Sequence, residues 1–194
     1  MTASLLLIAR DWRLAIGAVA AQYALAAVLF AQVIPPAVAG VKLLVGLLSC
    51  LILLLSALRA AARPPGAASG PGELASLLSV RNSSLPTGLP FRIVAALIVG
   101  LSTWAASSRP ENLLPGVSRD VSLAVIALGA MSLLVLALTE APLEIGLGLL
   151  TLLTGFELFY HAVEPSLSVI AMLAMAHFGI AMVTGYLTVV GARG

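Results

Sequence analysis

Six apolar stretches dominate this chain, at 13–34, 37–59, 91–107, 121–139, 143–163 and 166–190. A helix crosses the ~30 Å of hydrocarbon in a bilayer with ~20 apolar residues, and these stretches approach or meet that length. The chain is 61% hydrophobic and 9% charged, whereas soluble domains run to about 25% charged. The bilayer is therefore its solvent. The sequence predicts an all-α fold, a polytopic membrane protein built as a bundle of six transmembrane helices. Single Cys50 leaves no internal disulfide and no multi-cysteine metal or iron–sulfur site. A net charge of +2 without a basic run gives no footing for nucleic acid. The start, MTASLLLIARDWR, has no basic residue before its apolar stretch and no small-residue cleavage site, so it reads as mature chain.

Proline punctuates the stretches, because it lacks the N–H that would continue a helix. Pro35-Pro36 separates the first two in a tight turn, and Glu164-Pro165-Ser166 the last two. Pro142 suits the first turn of the fifth. The expected organisation is a first helical hairpin at 1–60, a Pro/Gly/Ser-rich linker at 61–90, a third span with its following loop at 91–120, and a three-helix unit at 121–194. Within the linker, 73–80 reads as a short surface helix. Basic residues set the orientation. The side shared by the two termini, the linker and the 139–142 turn carries Arg10, Arg13, Arg59, Arg63, Arg81, Arg92 and Arg193, against Lys42, Arg109 and Arg119 opposite. Both termini are expected in the cytoplasm.

Glu157 is the residue an apolar helix does not explain. A carboxylate in hydrocarbon costs on the order of 3 kcal/mol or more, which makes it a functional candidate. His161 and Glu164 follow at four and seven residues, and at ~100° per residue the three share one stripe. One reading is a proton path in which Glu157 alternates between charged and neutral and His161, which titrates near neutrality, passes protons to it. The plainer reading leaves His161 and Glu164 at the interface and Glu157 hydrogen-bonded to a neighbouring helix. A metal site on the same stripe would need further ligands, and His177 is the one other intramembrane candidate.

His177 lies mid-span among Ala174, Ala176, Gly179 and Ala181. It is either a second protonatable station or a histidine at a close helix contact. Counted from Pro165 at 1.5 Å per residue, Glu157 lies ~12 Å deep and His177 ~18 Å, so no direct bond between them is expected. Lys42 reads first as a lysine that snorkels to the interface, and as a partner for a carboxylate if it faces the bundle. Glu140 and Glu144 suit a helix start, Trp12 and Trp104 suit the interfaces, and Gln22 and Tyr23 have no assignable role.

GFELFYHAV (155–163) resembles the Gly-x-Glu segment of subunit K of NADH-quinone oxidoreductase and of its small three-helix relative in the Mrp multisubunit cation/proton antiporters. Gly155, Glu157 and Ala162 match, and His161 stands where that family has Asn. AMAHFGIAM (174–182) resembles the family's third helix, with His177 in place of its second glutamate. The resemblance covers spans four to six. It implies a non-catalytic subunit of a proton- or cation-translocating complex, beside an antiporter-like subunit in a bacterial inner membrane. No cofactor is implied, and the ion-path residues are Glu157, His161, His177, Glu164 and Lys42. The family's basic residues before the second helix are missing here, and spans one to three are extra. RDWRLAI (10–16) with RDVSLAV (119–125), and 41–51 with 143–153, also suggest an inverted three-plus-three repeat, as in stand-alone transporters. A purely structural or assembly subunit is the third expectation.

Overall fold

The computed structural model describes residues 12–62, 89–108, 117–163 and 166–191. Their elements are helices: α1 Trp12–Val33, α2 Pro36–Ala61, α3 Leu89–Ser107, α4 Arg119–Leu138, α5 Pro142–Val163 and α6 Leu167–Gly191. Five are long and apolar enough to cross a membrane, and in α3 the apolar part is shorter, Phe91–Ala106. The chain is thus an all-α protein of the multi-pass membrane type. The expected helix at 73–80, the linker around it, most of the 107–120 loop and Glu164 lie outside the described residues.

The helix boundaries follow from residues that can or cannot be helical. Pro35 is extended, at φ −53° and ψ 137°, and Pro36 opens α2, where a missing N–H costs nothing. Ser118 caps α4 by accepting from the Val121 N–H at 3.4 Å, with Asp120 in the first turn beside the positive end of the helix dipole. Thr139 leaves the helix in extended conformation, and its hydroxyl donates to the Val135 carbonyl at 2.8 Å. Pro142 then begins α5.

Four helices form a closed ring: α1 packs on α2, α2 on α6, α6 on α5, and α5 on α1. α4 lies against the outside of α5, and α3 against α4. Two apolar clusters mark the ends of the bundle. One joins Phe30 of α1 and Ile34 just beyond it to Ala39 of α2, Val121 of α4 and Leu158 of α5. The other joins Ala15 and Val19 to Leu53 and Ala57, Val135 and Leu147. The end of α1, the start of α2, the start of α4 and the end of α5 therefore share one level. α3 runs antiparallel to α4: Arg92, near its start, donates from Nη2 to the carbonyl of Leu138 at the end of α4 (3.2 Å). The same guanidinium lies 3.9 Å from Glu144, a pairing the sequence reading did not anticipate.

Helices approach most closely where a side chain is missing, both within the ring and where α4 meets α5. A Cβ built at Gly46 would overlap the ring of Tyr23, and one at Gly155 would come within 3.0 Å of Leu128. Small residues let helices approach where no hydrophobic force drives them together. Three buried hydroxyls are satisfied by their own helix: Ser49 donates to Val45 O at 3.0 Å, Thr151 to Leu147 O at 2.9 Å and Thr154 to Leu150 O at 2.8 Å. The outer faces carry large apolar side chains such as Leu101 and Met175, 68% and 76% exposed, which suits a chain solvated by lipid.

Candidate functional site

The site lies inside the four-helix ring, where its two diagonals cross. Along one, Lys42 of α2 reaches Glu157 of α5, with Nζ 2.6 Å from Oε1. Along the other, the ring of His177 on α6 faces that of Tyr23 on α1, centroids 5.9 Å apart and tilted by 58°. All four side chains are buried, at 2–6% exposure. Nδ1 of His177 stands 3.4 Å from the same Glu157 oxygen. One carboxylate therefore meets an ammonium and an imidazole contributed by two other helices.

Lys42 does not snorkel. It lies 6% exposed in the bundle, on the interior stripe with Ala39, Val45 and Ser49, and pairs with the carboxylate instead. The hydrophobic pattern of α2 could not show this, because its outward leucines are as apolar as its inward ones.

The expected separation of Glu157 from His177 is also corrected. Counting along the axes gave a ~6 Å offset in depth, but every Cα–Cβ bond tilts towards its helix N-terminus. α5 and α6 are antiparallel neighbours, so Glu157 leans away from their shared turn and His177 leans back towards it. The side chains close the offset and meet at 3.4 Å.

His161 is buried among the helices, at 1% exposure, two residues before the end of α5. Its Nδ1–H donates to the backbone carbonyl of Glu157 at 2.6 Å, and its ring stands edge-on to Phe30, centroids 5.7 Å apart. It shares the Glu157 stripe, but the bond it makes is to the main chain and not to the carboxylate. Glu164 lies outside the described residues, so the far end of the expected stripe has no structural account.

Tyr23 is the site residue that sequence reasoning missed. Its signal was indirect: a tyrosine in an apolar span, with Gly46 across from it on α2 giving its ring room. A cavity of about 10 Å³ adjoins the cluster, lined by Tyr23, Ala26, Lys42, Thr154, Glu157 and His177 among others. That is roughly the space one water molecule needs.

Two ring nitrogens, Nε2 of His161 and Nε2 of His177, are buried without a hydrogen-bond partner among the described residues, as are the Tyr23 hydroxyl and the Gln22 amide. Both histidines use Nδ1 towards a carbonyl one turn back, Glu157 O and Leu173 O (3.1 Å). A carbonyl only accepts, so Nδ1 carries the hydrogen in each, and Nε2 is the nitrogen open to a further proton.

As a cation site the cluster is poorly furnished. Among the described residues no three His, Cys, Asp or Glu side chains gather as a metal ion requires, and an ammonium already faces the carboxylate. As a proton site it has what is needed, a carboxylate, its counter-charge and a histidine within one cluster. Comparison of the chain with family models, with curated proteins and with solved structures finds no match.

Proposed function

We propose that this protein is a non-catalytic membrane subunit of a proton- or cation-translocating complex and that Glu157 is its working group in the ion path. The observation that carries the reading is the buried Lys42–Glu157–His177 cluster. Three titratable groups enclosed by an apolar ring are a poor device for stability: a buried pair pays desolvation that well-packed apolar residues avoid. Ionisable groups kept inside a membrane bundle mark paths for ions and protons. The resemblance of spans four to six to subunit K supports an antiporter-like partner in a cell membrane, and the arginine bias supports cytoplasmic termini. The structure adds one qualification. The counter-charge of Glu157 comes from α2, so the first hairpin is part of the site and not an appendage to a three-helix unit.

The other expectations receive less support. In an inverted three-plus-three repeat α2 and α3 would pack as α5 and α6 do, and α2 and α3 are not a packed pair among the described residues. A purely structural role leaves Nε2 of His177, which has no partner among the described residues, without a purpose.

The test is Glu157→Gln, which keeps shape and hydrogen bonding and removes the exchangeable charge. In native membrane vesicles the variant should assemble normally and lose most ion translocation. Translocation at the wild-type rate would reduce Glu157 to a packing residue.

A further inference from the structure

Resting on that reading of Glu157, we propose that the cavity beside α1 binds one water molecule, that this water carries protons between the Glu157 carboxyl and Nε2 of His177, and that Ala26 keeps the space open for it. The nearest approach of the two residues is Nδ1 to Oε1, at 3.4 Å. That nitrogen cannot take the proton. It already carries a hydrogen, because the Leu173 carbonyl 3.1 Å away can only accept. The lone pair able to receive a proton is on Nε2, on the other side of the ring, which is buried and has no partner among the described residues. Transfer therefore needs a carrier that touches both groups.

The cavity supplies the place. Glu157, His177, Lys42 and Tyr23 line it, and its volume of about 10 Å³ suits a single water and excludes a hydrated metal ion. A buried water needs two to four polar partners, and the side chains of Lys42, Glu157, His177 and Tyr23 in the walls are the candidates for them. The step balances without an outside reagent. Glu157 gives its O–H proton to the water as the water gives another to Nε2, leaving carboxylate, imidazolium and neutral water. The new carboxylate is then held by Lys42. Return of the proton reverses each bond.

On the α1 side the wall includes Ala26, 4% exposed. It is not titratable and makes no polar contact with its side chain, so its variants probe space and not charge. Ala26→Leu fills the cavity, and Ala26→Val fills part of it should the larger side chain prevent assembly. Two readouts apply to the full chain in its native membrane: translocation rate, and infrared difference spectra recorded in ordinary and ¹⁸O-labelled water.

The wild type should show an O–H stretching band that shifts with the isotope. Ala26→Leu should lose that band and at least tenfold in translocation while assembling normally, with Ala26→Val intermediate. Absence of an isotope-sensitive band in the wild type would overturn the proposal, and so would wild-type translocation by either Ala26 variant that had lost the band. An inactive Glu157→Gln beside a fully active Ala26→Leu would remove the water carrier and leave the function of Glu157 standing. An active Glu157→Gln would remove both.

Discussion

At the scale of single residues, the Lys42–Glu157 pair is costly to halve and cheap to replace whole. Lys42→Met leaves a carboxylate in an apolar ring with only His177 beside it, and breaking a buried pair on one side typically costs about 3–5 kcal/mol. Adding Glu157→Met removes the stranded charge and should restore most of the stability while leaving translocation abolished. Thermal unfolding in mild detergent measures both, and a Lys42→Met protein as stable as the wild type would mean that the pair is not held as the 2.6 Å contact implies. His177→Leu should preserve the fold, since its ring packs against Tyr23, and should impair translocation. Full activity in that variant would end its part in the path. Glu157 was legible in the sequence because charge in hydrocarbon is conspicuous wherever it stands. Lys42 was not, because the same residue near a helix start is explained equally by snorkelling, and only the neighbouring helix decides. Tyr23 was silent because its partners come from α2 and α6, far away along the chain.

At the scale of elements, prolines and caps made the helices legible, and their packing order was not. α2 was expected at 37–59 and spans Pro36–Ala61, and α6 was expected at 166–190 and spans Leu167–Gly191; at the starts of α2 and α5, Pro36 and Pro142 act where they stand. Which helix touches which is another matter. In a bilayer the outward face is as apolar as the inward one, so hydropathy carries little information about faces. Glycines carry some of it. Gly46 and Gly17 look alike in the sequence, yet a methyl at Gly46 meets the Tyr23 ring and one at Gly17 meets nothing within 4 Å. Gly46→Ala should therefore destabilise by about 1–3 kcal/mol through overpacking and displace Tyr23 from the site. Gly17→Ala should be neutral or stabilise by up to about 1 kcal/mol through helix propensity. Paired unfolding measurements check the contrast, and equal effects at the two positions would mean that α1 and α2 do not approach as closely as described.

At the scale of the whole molecule, the direction of each helix bears on how many cross the membrane. α2 ends at the level where α4 ends and α5 begins, and α4 begins at the level where α1 ends. Between residues 62 and 119 the chain must therefore pass from one end of the bundle to the other. α3 lies along α4 with Arg92 fastened to the far end of it, and its 19 residues at ~1.5 Å each make roughly the ~30 Å required. Its apolar part is short, Phe91–Ala106, and it lies packed along α4. The arginine bias sharpens once Lys42 is known to be buried in the core and drops out of the count. The side of the termini keeps Arg10, Arg13, Arg59, Arg63, Arg81, Arg92 and Arg193, and the opposite side retains Arg109 and Arg119. The expected outcome is that a reporter fused after Gly194 or within 66–72 reads cytoplasmic and one within 111–117 reads external. If α3 did not cross, the reporters at 66–72 and 111–117 would read the same side and the C-terminus would be external. That result would also invert α4, α5 and α6 relative to α1 and α2, and would take Glu157 away from Lys42. The site and the six-span topology therefore stand or fall on the same measurement.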